Sequence, residues 1–483
     1  MNNGNENYIE QITQLVGSKL SEYVNISQSA EVPVIQQASM QQIWNELSVS
    51  SWIENGGMRI DQLNDFLDSF FPHTMHMHHP AYMGHQVAVP HFSAVVGDMI
   101  NSVSNNPMAI YEMGPASAAI EAAVINWMLQ KTGWLGEDKD FLGSNDQGAG
   151  VLTHGGSLAN LTALLAARNR VAPSSWENGT TGDLVILCSP SAHYSIARAI
   201  SIMGLGSHAV VPLEVDEMEV LKATSLRDVY DRVISEGKRV MAVVASACAT
   251  STGLYDPIDV IADFCLENKL WLHIDGPHGM AAILSKNEKK LLKGIEKADS
   301  VIWDAHKMLC TSTLCTAVLF KDKRDFNSMF QQEGSYLFHE KENHGYDFIE
   351  HTIECTKAGL GLKLFFVLAF LGEKGISEFV ENQYDKTKEF HKIISERKNF
   401  QCPYVPQSNI LCFRYGNDNN LQLVIREELL RKGDYYITLT EIRGLRYLRI
   451  VIMNPATDKD TIYGLLKSIE EIVYDQMIDF YYY

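Results

Sequence analysis

Two short apolar runs in this 483-residue chain end in groups suited to one reaction. Val301-Ile302-Trp303 stops at Asp304-Ala305-His306-Lys307, and Leu270-Trp271-Leu272-His273-Ile274 stops at Asp275-Gly276-Pro277-His278-Gly279. Both runs read as buried strands, so the chain delivers an amine and a carboxylate to strand ends. An amine at the edge of a hydrophobic strand suits Schiff-base chemistry, because desolvation favours its neutral, nucleophilic form. An aspartate beside it suits a cationic pyridinium. The pair points to pyridoxal phosphate, whose protein partners are a Schiff-base lysine and an acidic group at the ring nitrogen.

Two further segments carry complementary chemistry. Gly148-Ala149-Gly150-Val151-Leu152-Thr153-His154-Gly155-Gly156-Ser157 runs into a helical pattern through Arg168. Glycines and a serine at a helix start offer free N–H groups, a favourable dipole and a hydroxyl to a phosphate; an ordinary turn with a serine N-cap is the plainer alternative. His193 follows the apolar run Leu184–Cys188, which places it past another strand end, where open α/β sheets bind ligands. An imidazole there is suited to stacking on a flat ring or to moving a proton.

Read in order, Gly156-Ser157, His193, Asp275, His306 and Lys307 resemble the group II pyridoxal-phosphate-dependent amino acid decarboxylases, the family of the glutamate, aromatic amino acid and diaminobutyrate decarboxylases. The resemblance spans about His79 to Pro455. It implies that Lys307 carries the internal aldimine, that Asp275 pairs with the pyridine nitrogen and that His193 stacks on the ring. It also implies a phosphate cradle of Gly156, Ser157, Asp304 and His306 with Asn160 in the helix behind, and Pro277 against the other ring face. Tyr336 matches the tyrosine of a mobile catalytic loop that helps protonate the carbanion, within a polar stretch from Gln331 to Tyr346. Arg449 matches an arginine of the small domain that anchors a carboxylate, while Tyr82 and His85 match the substrate-pocket wall. The activity implied is decarboxylation of an L-amino acid to its amine and carbon dioxide.

The departures concern contacts around that core. Where the family has Gly-Thr-Thr this chain has Cys248-Ala249-Thr250, so Thr250 or Ser251 is expected to replace the first threonine. A second carboxylate near a phosphate is unfavourable, so Asp304 is read either as part of the cradle or as an orienting group for His306. Lys357 stands near a position where related enzymes have arginine, which touches substrate or lid contacts. The cluster His73, His76, His78, His79, His85 and His91 has no zinc-ligand spacing, and no metal is expected.

Elements that position these residues follow from the apolar pattern. From Tyr8 to about Phe71 the spacing is helical; the His-rich and proline-punctuated Pro72–His91 follows, and a helical pattern returns through Ala116 to Trp134. Between Gly148 and Asp322 short runs alternate with helices: Leu184–Cys188, Ala209–Leu213, Val240–Ala247, Leu270–Ile274, Ser300–Trp303 and Thr316–Phe320. That alternation predicts a largely parallel sheet with crossover helices. A helix at about Cys355–Gly372 leads to strands at Ile410–Tyr415, Tyr435–Glu441 and Leu445–Met453, with helices at Leu421–Lys432 and Asp460–Tyr474. With the resemblance, the expected fold class is α/β, the PLP-dependent transferase-like (aspartate aminotransferase, fold type I) architecture. It comprises an N-terminal helical segment and pocket loop (1–115), a mainly parallel seven-stranded cofactor-binding domain (116–389) and a small α/β domain (390–483).

Composition excludes other partners. The 59 acidic and 40 basic residues give a net charge of −19, which disfavours nucleic acid and anionic membrane surfaces. Eight cysteines without paired metal spacing read as reduced core thiols, and the start Met1–Glu6 lacks a signal peptide's basic and apolar regions, so a cytoplasmic enzyme is expected. The resemblance implies a homodimer. An aminotransferase, a carbon–sulfur lyase or an aldehyde-forming decarboxylase would share Lys307 and Asp275, and a non-catalytic scaffold is the reading from another class. Tyr336 speaks against the aldehyde-forming variant. Tyr82, Met83, Phe92 and Met308 lean toward an aromatic or bulky substrate, with glutamate or diaminobutyrate as alternatives.

Overall fold

A computed structural model describes residues 6–140, 142, 147–330 and 345–482. Its centre is a seven-stranded sheet of β1 (Ala149–Thr153), β2 (Leu184–Cys188), β3 (Val210–Pro212), β4 (Arg239–Ser246), β5 (Leu272–Asp275), β6 (Ser300–Asp304) and β7 (Thr316–Phe320). The order is β1-β7-β6-β5-β4-β2-β3. Strands β3, β2, β4, β5 and β6 are mutually parallel, and β7 runs antiparallel to both β6 and β1. Only β7 therefore points the other way, and β1, β2, β4, β5 and β6 end at one edge. Helices such as Pro115–Thr132, Gly156–Val171 and Ile258–Asn268 cover the sheet, which is why its strands are continuous apolar runs rather than alternating ones.

Strand β1 lies in a segment that reads as a glycine-rich loop. A Cβ on Gly150 would sit 2.7 Å from the Val318 carbonyl oxygen and 2.8 Å from Leu319, so the glycine marks the close approach of β7 rather than a turn. The helix read at Cys355–Gly372 begins at Gly361 and runs to Ser395, with non-helical backbone at Gly372.

The second sheet, β8 (Phe400–Gln401), β9 (Ile410–Tyr415), β10 (Thr438–Ile442) and β11 (Leu445–Val451), is antiparallel in the order β10-β11-β9-β8. Helices Asn419–Lys432 and Lys459–Tyr482 pack on it around Leu411, Phe413, Leu448 and Ile450. The chain ahead of the large sheet joins this unit: Met83 N–H donates to the Tyr436 carbonyl, and Val451 N–H to the Met83 carbonyl. Gly84 is required there, because a Cβ would come within 2.3 Å of the Tyr436 ring. Among the described residues no helix is long and apolar enough to cross a membrane.

Candidate active site

The common edge of the large sheet brings together residues far apart in sequence. Gly156 and Ser157 follow β1, His193 follows β2, Cys248 to Thr250 follow β4, Asp275 ends β5, and Asp304, His306 and Lys307 end and follow β6. With Asn160, Ser195, Ser246 and Pro277 they line one cavity. All ten residues assigned to cofactor binding from the sequence are in that lining; Ser195, Ser246, Cys248 and Ala249 complete it. Ser195 and Ser246 had a signal in the chain: Ser195 lies two residues past His193, and Ser246 sits near the end of the apolar run Val240–Ala247.

At one end of the cavity, the helix Gly156–Val171 starts after Gly155, whose φ of 101° demands glycine and which offers no capping side chain. Its leading N–H groups are thus left for an anion. Asp304 faces this end: Oδ1 accepts from Thr316 Oγ1 at 2.6 Å, while Oδ2 lies 3.3 Å from His306 Nε2 and 3.4 Å from Lys307 Nζ. The Lys307 and His306 nitrogens beside Oδ2 and the hydroxyl on Oδ1 are the donors that an aspartate needs beside a phosphate site. His306 is fixed from its other nitrogen by the backbone of Cys315, 3.0 to 3.1 Å away.

At the other end, Asp275 is 4 % exposed and accepts one bond on Oδ1, from Asn160 Nδ2 at 3.2 Å. Burial pushes its carboxyl up to about 6, against the pull of Asn160 and Lys307. Among the described residues Oδ2 has no hydrogen-bond donor and remains for a ring nitrogen. Asn160 thus serves the aspartate end; it is not only a residue behind the phosphate cradle. His193 caps the helix Tyr194–Ile202, with Nδ1 2.7 Å from Ser195 Oγ. Burial, then the charge of Lys307, lowers its imidazole to about 4, so it is neutral. The donor set, an uncapped helix start, a buried carboxylate with a free oxygen, and a partly open amine (side chain 17 % exposed), fits pyridoxal phosphate.

Arg449 is buried beside the cavity. Its Nε donates to the carbonyl of cavity-lining Thr250 at 3.0 Å and Nη1 to the Gly84 carbonyl at 3.1 Å, whereas Nη2 has no partner among the described residues. Ser251 Oγ is likewise buried without one. His85 is exposed, with Nε2 3.0 Å from the Tyr436 hydroxyl. Tyr82 is 1 % exposed and stacks on Tyr436 at 5.7 Å, so it supports the wall from behind rather than forming its surface.

Several sequence expectations shift. Met83 packs in the core of the small sheet, Met308 is fully buried against Asn409, and Phe92 is 63 % exposed at a helix start. Apolar spacing identifies a residue as buried without saying in which core, and Met83 and Met308 are sealed away from any substrate slot. Lys357 does not touch a substrate contact: its Nζ is sealed against both Glu121 oxygens at 2.6 Å. The histidine stretch is divided among separate partners, with His73 on Glu46, His76 on Ser27 and His91 on Ser93. Tyr336 lies outside the described residues.

Comparison with known proteins places this geometry. Residues 55–416 match the pyridoxal-dependent decarboxylase conserved domain. The human acidic amino acid decarboxylase GADL1 is 28 % identical over 413 residues, covering 81 % of this chain and 77 % of that protein. L-2,4-diaminobutyrate decarboxylase of Acinetobacter baumannii is 27 % identical over 438 residues, covering 86 % and 84 %. The crystal structure of mouse CSAD superposes with a TM-score of 0.90 at 23 % identity, over 97 % of this chain and 99 % of that one, a likeness of fold.

Proposed function

The chain belongs to the pyridoxal-dependent decarboxylase family and is a pyridoxal-phosphate-dependent amino acid decarboxylase; from that premise we propose that Lys307, Asp275 and His193 form its reaction centre and Arg449 anchors the substrate. The observation that carries the reading is the convergence of Lys307, Asp275 and the uncapped helix start in one cavity at the strand ends. When bound, the cofactor supplies an electron sink for the electrons released as the carboxylate leaves. Gly156 and Ser157 N–H groups hold its phosphate, with His306 beside them. Lys307 supplies the amine that fastens it, and Asp275 Oδ2 keeps a proton on the ring nitrogen. His193, neutral, offers a flat face to the ring. Tyr336 delivers the proton to Cα.

Arg449 Nη2, a buried guanidinium N–H without a partner among the described residues, is the donor for a substrate carboxylate. The substrate side chain then lies against His85 and Tyr436, backed by Tyr82, an aromatic stack that supports a bulky or aromatic amino acid. A second reading, an acidic side chain, is favoured by half-buried Arg426, whose charge reaches His85, and by the similarity to a decarboxylase named for acidic amino acids.

The enzyme acts as a homodimer. Supporting this, the helix Phe92–Ser104 leaves Phe92, Met99 and Val103 at 63, 51 and 89 % exposure, and Tyr194, next to His193, is 61 % exposed. Light scattering should give twice the 54.2 kDa chain mass.

The deciding experiment is carbon dioxide release from a panel of L-amino acids, with amine product identified. Highest turnover on tryptophan, tyrosine or phenylalanine bears out the bulky pocket. Preference for glutamate or cysteine sulfinate establishes the acidic reading, and keto-acid product without carbon dioxide overturns decarboxylation.

A further inference from the structure

We propose that His273, which lines no part of the cavity, is a positioning residue for the reaction centre: it transmits the donor direction of a buried hydrogen-bond chain from Trp271 to Asp275 and His193. The inference rests on the roles of Asp275 and His193 given above and adds what sets their orientation.

The chain is continuous. Trp271 Nε1 donates to Ser300 Oγ at 2.8 Å, and Ser300 Oγ lies 2.8 Å from His273 Nδ1. His273 Nε2 lies 2.8 Å from Asn160 Oδ1. Asn160 Nδ2 then donates to Asp275 Oδ1 at 3.2 Å and to Ser195 Oγ at 2.9 Å, and Ser195 Oγ lies 2.7 Å from His193 Nδ1. Trp271, Ser300, His273, Asn160 and Ser195 are each no more than 2 % exposed, so water does not substitute for a missing member. The sheet builds this alignment: residues 271, 273 and 275 alternate to one side of an extended segment, and His273 pairs directly with Ser300 across β5 and β6.

One set of donor directions satisfies every step. An indole N–H only donates, so Ser300 Oγ accepts it and can give its own hydrogen to His273 Nδ1. A neutral His273 that accepts at Nδ1 carries its hydrogen on Nε2, matching Asn160 Oδ1, which only accepts. Burial lowers His273 to about 3, which keeps it neutral. The amide orientation of Asn160 follows, since flipping it would set its oxygen against the Asp275 carboxylate. Both amide hydrogens are then committed, one to Asp275 and one to Ser195. Ser195 passes its own hydrogen to His193 Nδ1, in agreement with the Ser195 backbone N–H, which donates to the same nitrogen at 3.3 Å. His193 is thereby held with its hydrogen on Nε2, and Asp275 keeps Oδ2 uncommitted. With the opposite His273 tautomer, lone pairs would meet at Asn160 and the orientation would be lost at both ends.

The test uses the full chain, first without cofactor. In protein labelled with 15N-histidine, two-bond nitrogen–proton spectra should give the Nε2–H tautomer for both His273 and His193, with assignments from His273→Gln and His193→Gln. An Nδ1–H tautomer at either residue overturns the proposal. His273→Leu should make the His193 tautomer mixed; an unchanged His193 signal also overturns it. Trp271→Phe, which removes the directing donor and preserves most of the bulk, gives the same readout if His273→Leu fails to fold. Cofactor dissociation from the refolded or native variants provides the second measurement. His273→Leu should weaken retention about 10- to 100-fold, the range for residues that orient a binding group. His273→Gln, whose amide N–H also reaches Asn160, should stay near wild type, and equal loss in both variants overturns the directional role. If instead the tautomers are as stated but Asp275→Asn leaves cofactor retention unchanged, the relay stands and the reading of the site is what fails.

Discussion

Two lysine–carboxylate pairs flank the large sheet, and they differ in the feature that separates chemistry from architecture. Lys357 Nζ touches both oxygens of Glu121 at 2.6 Å, with the side chains 0 and 1 % exposed. Glu121 is in turn bonded by the Leu152 N–H of β1. Lys307 Nζ lies 3.4 Å from one oxygen of Asp304, with 17 % of its side chain exposed and the other oxygen held by Thr316. The first amine is locked and has no reach to a ligand. The second is placed where a cavity opens. An amine at a cavity can act as a nucleophile, whereas one sealed into a buried ion pair cannot reach a substrate.

The largest way to break the contrast is Lys307→Ala, which should reduce turnover on the order of 10^4-fold or more, the scale for a group at the centre of a catalytic unit. Stability should be little changed. Conversely, Lys357→Met leaves a buried Glu121 without its cation and should cost about 3–5 kcal/mol of stability, read from denaturant unfolding of the cofactor-free protein. Adding Glu121→Leu should recover most of that loss. A smaller effect sharpens the comparison: Thr316→Val releases Asp304 Oδ1 toward Lys307 and should slow cofactor uptake about ten- to a hundredfold, the ~1.5–3 kcal/mol of a bond to a charged group. The smallest concerns pH. The Asp275 carboxyl is raised to about 6 before cofactor binds, and the pyridinium needs it ionised. Below that value binding must first release the proton, so cofactor affinity should be level above about pH 6 and fall as pH drops through it. Titration of cofactor-free protein from pH 5 to 8 checks the direction; rising affinity on acidification would contradict it.

The strand ends were legible because parallel strands buried on both faces are continuous apolar runs, and the residue after each run is then a candidate ligand. That logic reached Lys307, Asp275 and His193 and put Gly156 at a helix start. It did not see β1, whose glycines serve close packing against β7. Nor did it separate Lys357 from the substrate, because only the fold brings Glu121 to it across the chain. His273 sits inside an apolar run that hides its polarity; the alternation of Trp271, His273 and Asp275 is the signal the sequence carries. The aromatic lean rested on Tyr82, Met83, Phe92 and Met308; the burial of Tyr82, Met83 and Met308 was legible and their destinations were not, and Phe92 is exposed.

The central claim is that the cofactor is fastened to Lys307 and to no other amine. Borohydride reduction of the cofactor-loaded enzyme, proteolysis and mass spectrometry test it directly. The account requires a pyridoxyl adduct on the peptide containing Lys307 and an unmodified Lys357; an adduct on Lys357 or another lysine, or none at all, would contradict it.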